Sequence, residues 1–469
     1  IQPDFPQGFF NGEVIKIEEG SNKKDSTYWE TVRPVPLTEM ERNDYHKKDS
    51  MQEVHESKAY LDSVDKRNNI RGLTGLFLSG YTYNMSYKKQ SLHIGSLLTG
   101  ANFNTVEGGN FGTDVTYSKQ YEKRRRLFIN GDLRYAVSAK ELYGTAGFDY
   151  RYNIFKSAAF GASFGHTAMQ YNENKPITPF LNTYYTLTVK RNFMKLIEKD
   201  FLKLTYRREL VNGIMLYAAT EYSNRTALIN TSDYTWNKKT ERIYTSNDPN
   251  NRIQENEVPA FEQNQAWYAN IILRFRYKQK YYNDPDAHYI LGSKYPTFVL
   301  KYKGGLPYLG SDVNYHAASA GLEDQMDFGM IGTFEYNLAY GKFFADDKMY
   351  FMDYKHFNGN LTIFSEFRLN DFQQLDYYEY STNNYWFEAH ASHNFKGLFF
   401  NKIPGLRKLM LGEVVSAHYV KTDLANHFEF GIGIEKFEIF RLDFVSAVAK
   451  GQKPVTGFRI GTRITNIID

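Results

Sequence analysis

Alternation of apolar and polar residues is the dominant pattern of this sequence. In the stretch WYANIILRFRYK, apolar side chains recur at every second position from Trp267 to Tyr277. The positions between them are mostly polar and include Arg274 and Arg276, with Ile272 as the exception. An apolar period of two predicts a β-strand that keeps one face away from water.

Similar runs follow one another through most of the chain. In LFINGDLRYAV, the polar residues Asn130, Asp132 and Arg134 alternate with apolar ones, and in FGMIGTFEYNLAY the polar set includes Thr333 and Glu335. We count about 16 such runs, with a range of 14–18, and several alternate for 11–13 residues. Ordinary strands average about 5–6 residues, whereas a strand that crosses a membrane needs about 9–11.

The spacing of aromatic residues indicates the same length. Trp267 and Tyr277 share a face and are separated by roughly 33 Å along an extended strand. At a tilt near 40° this projects to about 25 Å, the height of the apolar band between the two aromatic girdles of a membrane barrel. Phe328 and Tyr340 give a similar span, so these four residues are the predicted girdle aromatics.

The predicted fold is all-β: a transmembrane antiparallel β-barrel of about 16 strands with a short, partly helical N-terminal segment. A soluble all-β protein is the alternative, because alternation alone does not say which face meets water. The unbroken series of long strands favours the barrel, since open sheet edges are not tolerated in lipid. Its candidate lumen-lining residues are Asn130, Asp132, Arg134, Asn270, Arg274, Arg276, Thr333 and Glu335.

The N-terminal region has a different pattern. Residues 1–69 are charged and poor in alternation, and Thr38 with Glu41 forms a capping-box pattern that predicts a helix start. We therefore divide the chain into an N-terminal periplasmic or plug-like segment, 1–69, and an outer-membrane β-barrel, 70–469. One or two short helices are expected near 37–66.

The connections predict an orientation. In outer-membrane barrels the short turns are periplasmic and the long loops extracellular. The polar stretch 226–263 is thus expected outside the cell, with 370–384 as a second outer loop. The link 279–294 is long for a periplasmic turn.

Two connections are apolar and basic, at 192–201 and 397–409. Each is interpreted either as a turn that packs on the barrel rim or as an interfacial helix or partner-docking segment. For the second interpretation the candidate interface residues are Phe399, Phe400, Ile403 and Pro404.

Composition and motifs exclude several kinds of chemistry. The net charge of +4 gives no argument for nucleic acid, and the absence of cysteine removes disulfides and thiolate sites. His390 and His393 with Glu388 lack the helical spacing of a zinc motif, because 393 falls on the opposite face of a strand. No nucleophile motif or phosphate-binding loop is present. We expect no catalytic residues, no metal and no cofactor.

Several segments resemble a known family. They are YWETVRPVPLT at 28–38, FNTVEGGNFG at 103–112, SKYPTFVLKYKGG at 293–305 and, most specifically, residues 385–419. Together they resemble a family of Bacteroidetes outer-membrane proteins of unknown function. Its members usually carry an N-terminal carboxypeptidase-regulatory-like domain of immunoglobulin type. This sequence lacks such a domain, so the resemblance implies that it belongs to a longer protein. The Thr-Val-Glu-Gly element is also distantly similar to the first strands of BamA-type assembly barrels.

The leading hypothesis is a non-enzymatic scaffold or accessory subunit of a bacterial outer-membrane complex for envelope-protein assembly or export. The expected partners are outer-membrane lipid or lipopolysaccharide and other outer-membrane proteins or lipoproteins. One alternative is a passive channel or transporter for small solutes. The other is a surface glycan-binding β protein.

Overall fold

A computed structural model describes most of the 469 residues. The described residues are 12–17, 20, 24–69, 73–251, 259–285, 287–437, 439–449, 451 and 453–462. Their helices are α1 Ser26–Val32, α2 Glu39–Glu56, α3 Lys58–Asn68, α4 Leu73–Ser79 and α5 Pro179–Tyr184. Among the described residues, no helix is both long enough and apolar enough to span a membrane.

Strands are the main secondary structure of the described residues, as predicted. In chain order they are β1 Glu13–Lys16, β2 Tyr81–Met85, β3 Gln90–Ile94, β4 Asn102–Asn104, β5 Gly108–Gln120, β6 Arg126–Ala136, β7 Glu141–Asn153, β8 Ala158–Gln170, β9 Leu196–Val211, β10 Ile214–Ala227, β11 Asn264–Arg276, β12 Lys280–Asp284, β13 Ala287–Gly292, β14 Thr297–Gly305, β15 Asn314–Asp327, β16 Thr333–Lys348, β17 Phe364–Ser365, β18 Tyr385–Asn394, β19 Leu411–Thr422, β20 Asn426–Lys436, β21 Phe440–Ala449 and β22 Val455–Thr462.

Most of these strands form one closed barrel. Each long strand pairs antiparallel with the next long strand along the chain. Strands β3 and β4 both pair with β5 and count as one interrupted barrel strand. With β5 to β11, β14 to β16 and β18 to β22, the described barrel strands number sixteen. The predicted all-β barrel is confirmed. Two short strands extend the strand order: β2 pairs antiparallel with β3, and β17 pairs in parallel with β22.

The barrel has two different ends. Long connections at 171–195, 228–263 and 349–384 lie at one end, which we call the upper end. The opposite, lower end has tight connections such as the two residues between β9 and β10, where Gly213 takes a φ of 83° that suits glycine. This alternation of long and short connections follows from the antiparallel order.

The two faces of the barrel wall differ in chemistry. On β20, Phe428, Phe430 and Ile432 point outward and are exposed, while Glu429 and the glycines between them point inward. Strands β21 and β22 repeat this arrangement, with Phe444 and Phe458 outside. The period of two in the sequence therefore separates an apolar outer surface from a polar interior.

The described part of the N-terminal segment lies against the lower end. Helix α2 begins at the predicted capping box, in which Thr38 Oγ1 accepts from the Glu41 amide at 3.3 Å and Glu41 accepts from the Thr38 amide at 2.9 Å. The Asp65 carboxylate at the end of α3 accepts hydrogen bonds from the Ser86 amide and hydroxyl in the β2–β3 turn. Strand β1 pairs with β12, which forms a hairpin with β13. This hairpin explains the length of the 279–294 link.

Two predicted strands are corrected by the structure. Residues 328–332 form a turn with a short 3-10 helix, so Phe328 precedes β16 instead of lying within it. Gly332 there has a φ of 114°, which interrupts an extended strand. The alternation in 361–369 also predicts a strand, but only Phe364–Ser365 forms one there. The side chain of Asn360 bonds the Thr362 amide and the Phe364 carbonyl, which competes with strand pairing.

Candidate functional site in the barrel lumen

The structure places the predicted lumen residues on inward-facing positions of the barrel wall. The predicted set is Asn130, Asp132, Arg134, Asn270, Arg274, Arg276, Thr333 and Glu335, on β6, β11 and β16. Arg134 forms an ion pair with Glu107 at 2.8 Å, and Arg274 pairs with Glu323 at 3.1 Å. Asp132 accepts a hydrogen bond from Thr145 on the neighbouring strand. Two of the predicted lumen arginines, Arg134 and Arg274, are therefore paired with acidic side chains.

The predicted girdle aromatics are spread along the wall. Trp267 lies near the upper end of β11, where its indole N–H donates to Thr220 Oγ1 at 2.8 Å. Tyr277 follows the lower end of β11 and packs edge-to-face against Tyr295. Phe328 lies in a lower turn, but Tyr340 pairs with Ala320 midway along β16. The expected span from Phe328 to Tyr340 is therefore wrong, because β16 starts after the turn and continues to Lys348.

A long connection fills much of the lumen. Residues 349–384, which we call the lumen loop, leave the upper end of β16 and fold back inside the barrel. Phe357, Phe372 and Leu375 of this loop are buried in one core cluster with inward residues of β15, β16 and β18. The predicted outer loop at 370–384 is thus corrected: its aromatic residues gain more by packing inside the barrel than by facing water.

A buried ion pair fixes the start of the lumen loop. The Arg225 guanidinium, on the inner face of β10, contacts the Asp353 carboxylate at 2.6 and 3.2 Å. Side-chain exposures of 2% and 3% put both groups out of reach of bulk water. Arg225 Nε also donates to Asn264 on β11 at 2.8 Å. Such a bidentate pair sets the position of the loop relative to two barrel strands.

A second set of charged groups joins the loop to β18 and β19. Lys355 of the loop lies 2.9 Å from Glu388, and Glu388 lies 3.0 Å from His390. The His390 Nδ1 and His418 Nδ1 atoms are 2.9 Å apart, so one donates and the other accepts. His393 faces the other way and bonds the Ile331 carbonyl at 3.0 Å. The side chains of Glu388, His390 and His393 therefore do not converge on one point.

The tip of the loop is held by backbone contacts. Glu429 on β20 is fully buried, and its carboxylate accepts hydrogen bonds from the amides of Gln373 at 2.5 Å and Gln374 at 2.8 Å. On β22, Arg459 Nε donates to the Gln373 carbonyl at 2.6 Å. Two C-terminal strands, β20 and β22, thus hold the same two residues of the loop.

An internal cavity of about 420 Å³ remains between the lumen loop and the wall. Lys301, Lys303 and Asn270 contribute to its lining from the wall, and His356 contributes from the loop. Ile272, the exception in the sequence pattern, also lines it. The described lining residues outside the wall come from the upper connections, so Ile272 faces a cavity that these connections border.

Two buried groups of the loop titrate in opposite directions. Burial, with Lys303 and Lys355 nearby, lowers the pKa of His356 from 6.5 to about 3. Burial raises the pKa of Asp371 from 3.8 to about 6. A lowered histidine pKa weakens loop docking as the pH falls below 6.5, whereas a raised carboxyl pKa strengthens docking as the pH falls through 6.

We expect this opposition to appear in two single variants. Between pH 7 and pH 5, Asp371→Asn should lose about 2 kcal/mol of docking free energy because only His356 remains, and His356→Gln should gain about 1 kcal/mol. Hydrogen exchange of residues 349–384 measures both changes. All other titrating groups contribute equally to the docking free energy of both variants. If this free energy changed equally with pH in the two variants, His356 and Asp371 would not be the groups that oppose each other.

The two apolar connections have different structures. Met194, Leu196 and Ile197 of the 192–201 stretch are buried in a core cluster at the upper rim, which supports the rim-packing interpretation there. At the lower end, 397–409 contains 3-10 helices at Phe400–Lys402 and Leu406–Leu409. The candidate interface residues lie here, and Phe399 and Ile403 are 52% and 46% exposed while Pro404 is also exposed.

Histidine, aspartate and glutamate side chains are the potential metal ligands of the described residues. Within them, no group of three or more histidine, aspartate or glutamate side chains is arranged to hold a metal ion. Inside the lumen, Glu388 bonds Lys355 and His390, and His390 bonds His418. Glu429 bonds His427 and the loop backbone.

Sequence comparison identifies the family. Residues 74–434 match the model of the C-terminal domain of the family of unknown function DUF5686. The chain belongs to this family. The family description gives neither an organism nor an N-terminal domain, so the Bacteroidetes source and the carboxypeptidase-like domain stay predictions. No curated protein matches the sequence significantly.

Solved structures with a similar fold are outer-membrane β-barrels. BamA from Haemophilus ducreyi has a TM-score of 0.43 and 9% identity, covering 85% of this chain and 77% of that one. CdiB from Acinetobacter baumannii has a TM-score of 0.37 and 11% identity, covering 77% and 58%. Wzi of Escherichia coli, a carbohydrate-binding barrel involved in capsule assembly, has a TM-score of 0.28 and 8% identity, covering 87% of each chain.

Several residues of this DUF5686 lumen were not found by sequence reasoning. Glu429 occupies an inward position of the regular alternation FEFGIGIEK, so the period of two marks it as a lumen residue. Arg225 follows from the same argument on β10. Asp353 and Gln373 lie in the loop, where no periodicity identifies them.

Proposed function

We propose that the chain is a bacterial outer-membrane barrel that acts without catalysis, as a scaffold or accessory subunit of an envelope-protein assembly or export complex. The exposed phenylalanines and isoleucines on the outer surface of β20 to β22 support a lipid environment. So large an apolar surface would cost free energy if it faced water. Lipid or lipopolysaccharide would contact this surface. Outer-membrane proteins or lipoproteins are the proposed protein partners.

The observation that carries the scaffold proposal is the occupied lumen. Residues 349–384 cross the interior and are fastened by the Arg225–Asp353 pair, the Lys355–Glu388 pair and the Glu429 carboxylate. Because the lumen loop fills the interior of the barrel, the buried polar groups of the wall hold this loop in place and do not line an open pore. Its outer and lower surfaces then remain for contacts with other molecules.

The lower end offers a surface for such contacts. The 397–409 connection exposes Phe399 and Ile403, and it carries Lys402, Arg407 and Lys408 beside them. Exposed apolar side chains next to basic ones suit a partner with an apolar, acidic surface. We propose this connection as the partner-docking segment.

Co-purification from native membranes in mild detergent tests the proposal. We expect the wild-type chain to bring down a stoichiometric partner, and Phe399→Ser/Ile403→Ser to lose at least nine-tenths of it. Leu424→Ser is the matched control, because Leu424 is 64% exposed in the upper β19–β20 turn. A monomeric wild type, or equal loss in the control, would end the docking proposal.

A passive channel is the second candidate, and the internal cavity of about 420 Å³ is the observation that favours it. Planar-bilayer recording decides between the two. Steady conductance by the wild-type chain supports a channel, and a silent barrel supports the closed scaffold.

A further inference from the structure

A second cavity of about 420 Å³, which we call the lower vestibule, lies in the lower half of the lumen. It is enclosed by the inner faces of β6 to β11 and by the β12–β13 hairpin below them. Six arginines line it, at positions where the barrel strands begin or end. They are Arg124, Arg126, Arg151, Arg207, Arg274 and Arg276.

Acidic groups in the vestibule are too few to balance these charges. Among its described lining residues Glu209 is the single acid, and it already accepts hydrogen bonds from the Gly213 amide at 2.9 Å and Gln279 at 2.7 Å. Arg274 is neutralised from outside the lining by Glu323. Asp149 stands at 3.5 Å from Arg151 and 4.0 Å from Arg207, so one carboxylate serves two guanidinium groups.

Without a bound ligand, several of these arginines are placed so that their positive charges repel one another. Arg126 and Arg151 are directly opposite each other on neighbouring strands and point to the same side. Like charges in directly opposed positions destabilise a sheet. Arg274 and Arg276 repeat the problem along one face of β11. Within the described residues, the guanidinium groups of Arg126 and Arg276 have no hydrogen bond or ion pair.

A further polar group on the same cavity points to a ligand. The side chain of His288, on the hairpin that closes the vestibule from below, is 7% exposed. Its Nδ1 atom bonds Asn283 Oδ1 at 2.7 Å, and its Nε2 atom has no hydrogen-bond partner among the described atoms. The closest carboxylate oxygen, Glu209 Oε2, is 3.6 Å away, beyond hydrogen-bonding distance. A buried, unpaired polar atom costs free energy that a bound ligand would recover.

We propose that the lower vestibule binds a small polyanion carrying at least two phosphate groups. Arginine presents a planar fork of donors that matches phosphate oxygens, and two or more forks on one cavity favour an anion of multiple charge. The bound anion relieves the repulsion between Arg126 and Arg151. Because His288 Nδ1 donates to Asn283 Oδ1, its Nε2 atom is an acceptor, and a protonated phosphate oxygen can donate to it. This proposal is independent of the scaffold role, since it concerns the lumen and not the docking surface.

Pyrophosphate titration of the purified, detergent-solubilised chain tests it. We expect calorimetric binding to the wild type and at least a tenfold loss of affinity in Arg126→Gln/Arg276→Gln. Arg208→Gln is the matched control, because Arg208 is next to Arg207 on β9 and lies on the outward face with Tyr206. Affinity in that variant should stay within twofold of wild type. No binding to the wild type, or equal loss in the control, overturns the proposal.

A second measurement separates binding from loss of folding and identifies the source of the phosphate. Without ligand, Arg126→Gln should raise the thermal unfolding temperature because it removes the opposed charges, and pyrophosphate should raise it in the wild type. A lower unfolding temperature for Arg126→Gln contradicts the proposal. Competition by solubilised cardiolipin, whose headgroup carries two phosphates, would assign a lipid headgroup as the source, and lack of competition would assign a soluble phosphate compound. Whichever source is assigned, Arg126→Gln/Arg276→Gln should lose affinity for pyrophosphate.

Discussion

Asp353→Asn is expected to release the lumen loop from the barrel wall. The substitution leaves the Arg225 guanidinium buried without its counter-charge, and breaking a buried ion pair in this way costs about 3–5 kcal/mol. Because Asp353 stands at the start of the loop, the loss acts first on residues 349–358. We expect hydrogen exchange there to accelerate by at least a hundredfold, which corresponds to about 2.7 kcal/mol.

The control for this prediction is an exposed ion pair. Lys58 and Asp62 lie 3.0 Å apart on helix α3, with more than half of each side chain exposed. Asp62→Asn should therefore change stability by less than about 0.5 kcal/mol and leave loop exchange unaltered. Bilayer recordings of Asp353→Asn add a functional readout: a released loop opens the lumen, so conductance should appear where the wild type is silent.

A paired replacement distinguishes charge burial from loss of packing. Arg225→Met/Asp353→Leu removes both charges and fills much of their volume, and such replacements are often neutral or stabilising. We expect the double variant to restore most of the exchange protection that Asp353→Asn loses. If Asp353→Asn exchanges as slowly as the wild type, the pair does not hold the loop.

The barrel could be predicted because its signal is local. WYANIILRFRYK shows which residues face inward without reference to any other part of the chain, and β11 runs from Asn264 to Arg276 as that pattern indicates. The capping box at Thr38 and Glu41 is local in the same way. Strand ends were less certain, as at Phe328, where a glycine turn interrupts a continuous apolar pattern.

The lumen loop could not be predicted because its partners are distant in sequence. Arg225 and Asp353 are 128 residues apart, and Gln373 and Glu429 are 56 apart. The stretch NDFQQLDYYEYSTNN is polar enough to be interpreted as an outer loop, yet Phe372, Leu375 and Tyr377 are buried. Only the closed barrel creates the interior that these aromatic residues fill.

The arginines of the lower vestibule include positions that the sequence pattern predicts and a contact that it does not. Arg274 and Arg276 were predicted from the alternation of β11 to line the lumen. Arg274 has an acidic partner in Glu323, which lies two strands away in the barrel. The opposed pair of Arg126 and Arg151 depends on the strand register, which a sequence pattern does not specify.

Glu429→Gln is expected to free the tip of the lumen loop while leaving its start in place. The Glu429 carboxylate accepts from the amides of Gln373 and Gln374 and lies 2.8 Å from His427 Nε2. A glutamine side chain has one acceptor oxygen and brings an NH₂ group toward donors, so at least one buried amide loses its partner. Charge-assisted bonds and an unpaired buried donor together cost about 3 kcal/mol.

Site-resolved hydrogen exchange separates this effect from that of Asp353. In Glu429→Gln the amides of Gln373 and Gln374 should lose protection by about a hundredfold, which is about 2.7 kcal/mol, while residues 349–358 change far less. Glu141→Gln is the control, because Glu141 is exposed at the upper start of β7. Equal deprotection of both parts of the loop would show that it docks as one cooperative unit, and unchanged exchange at Gln373 would show that Glu429 does not hold it.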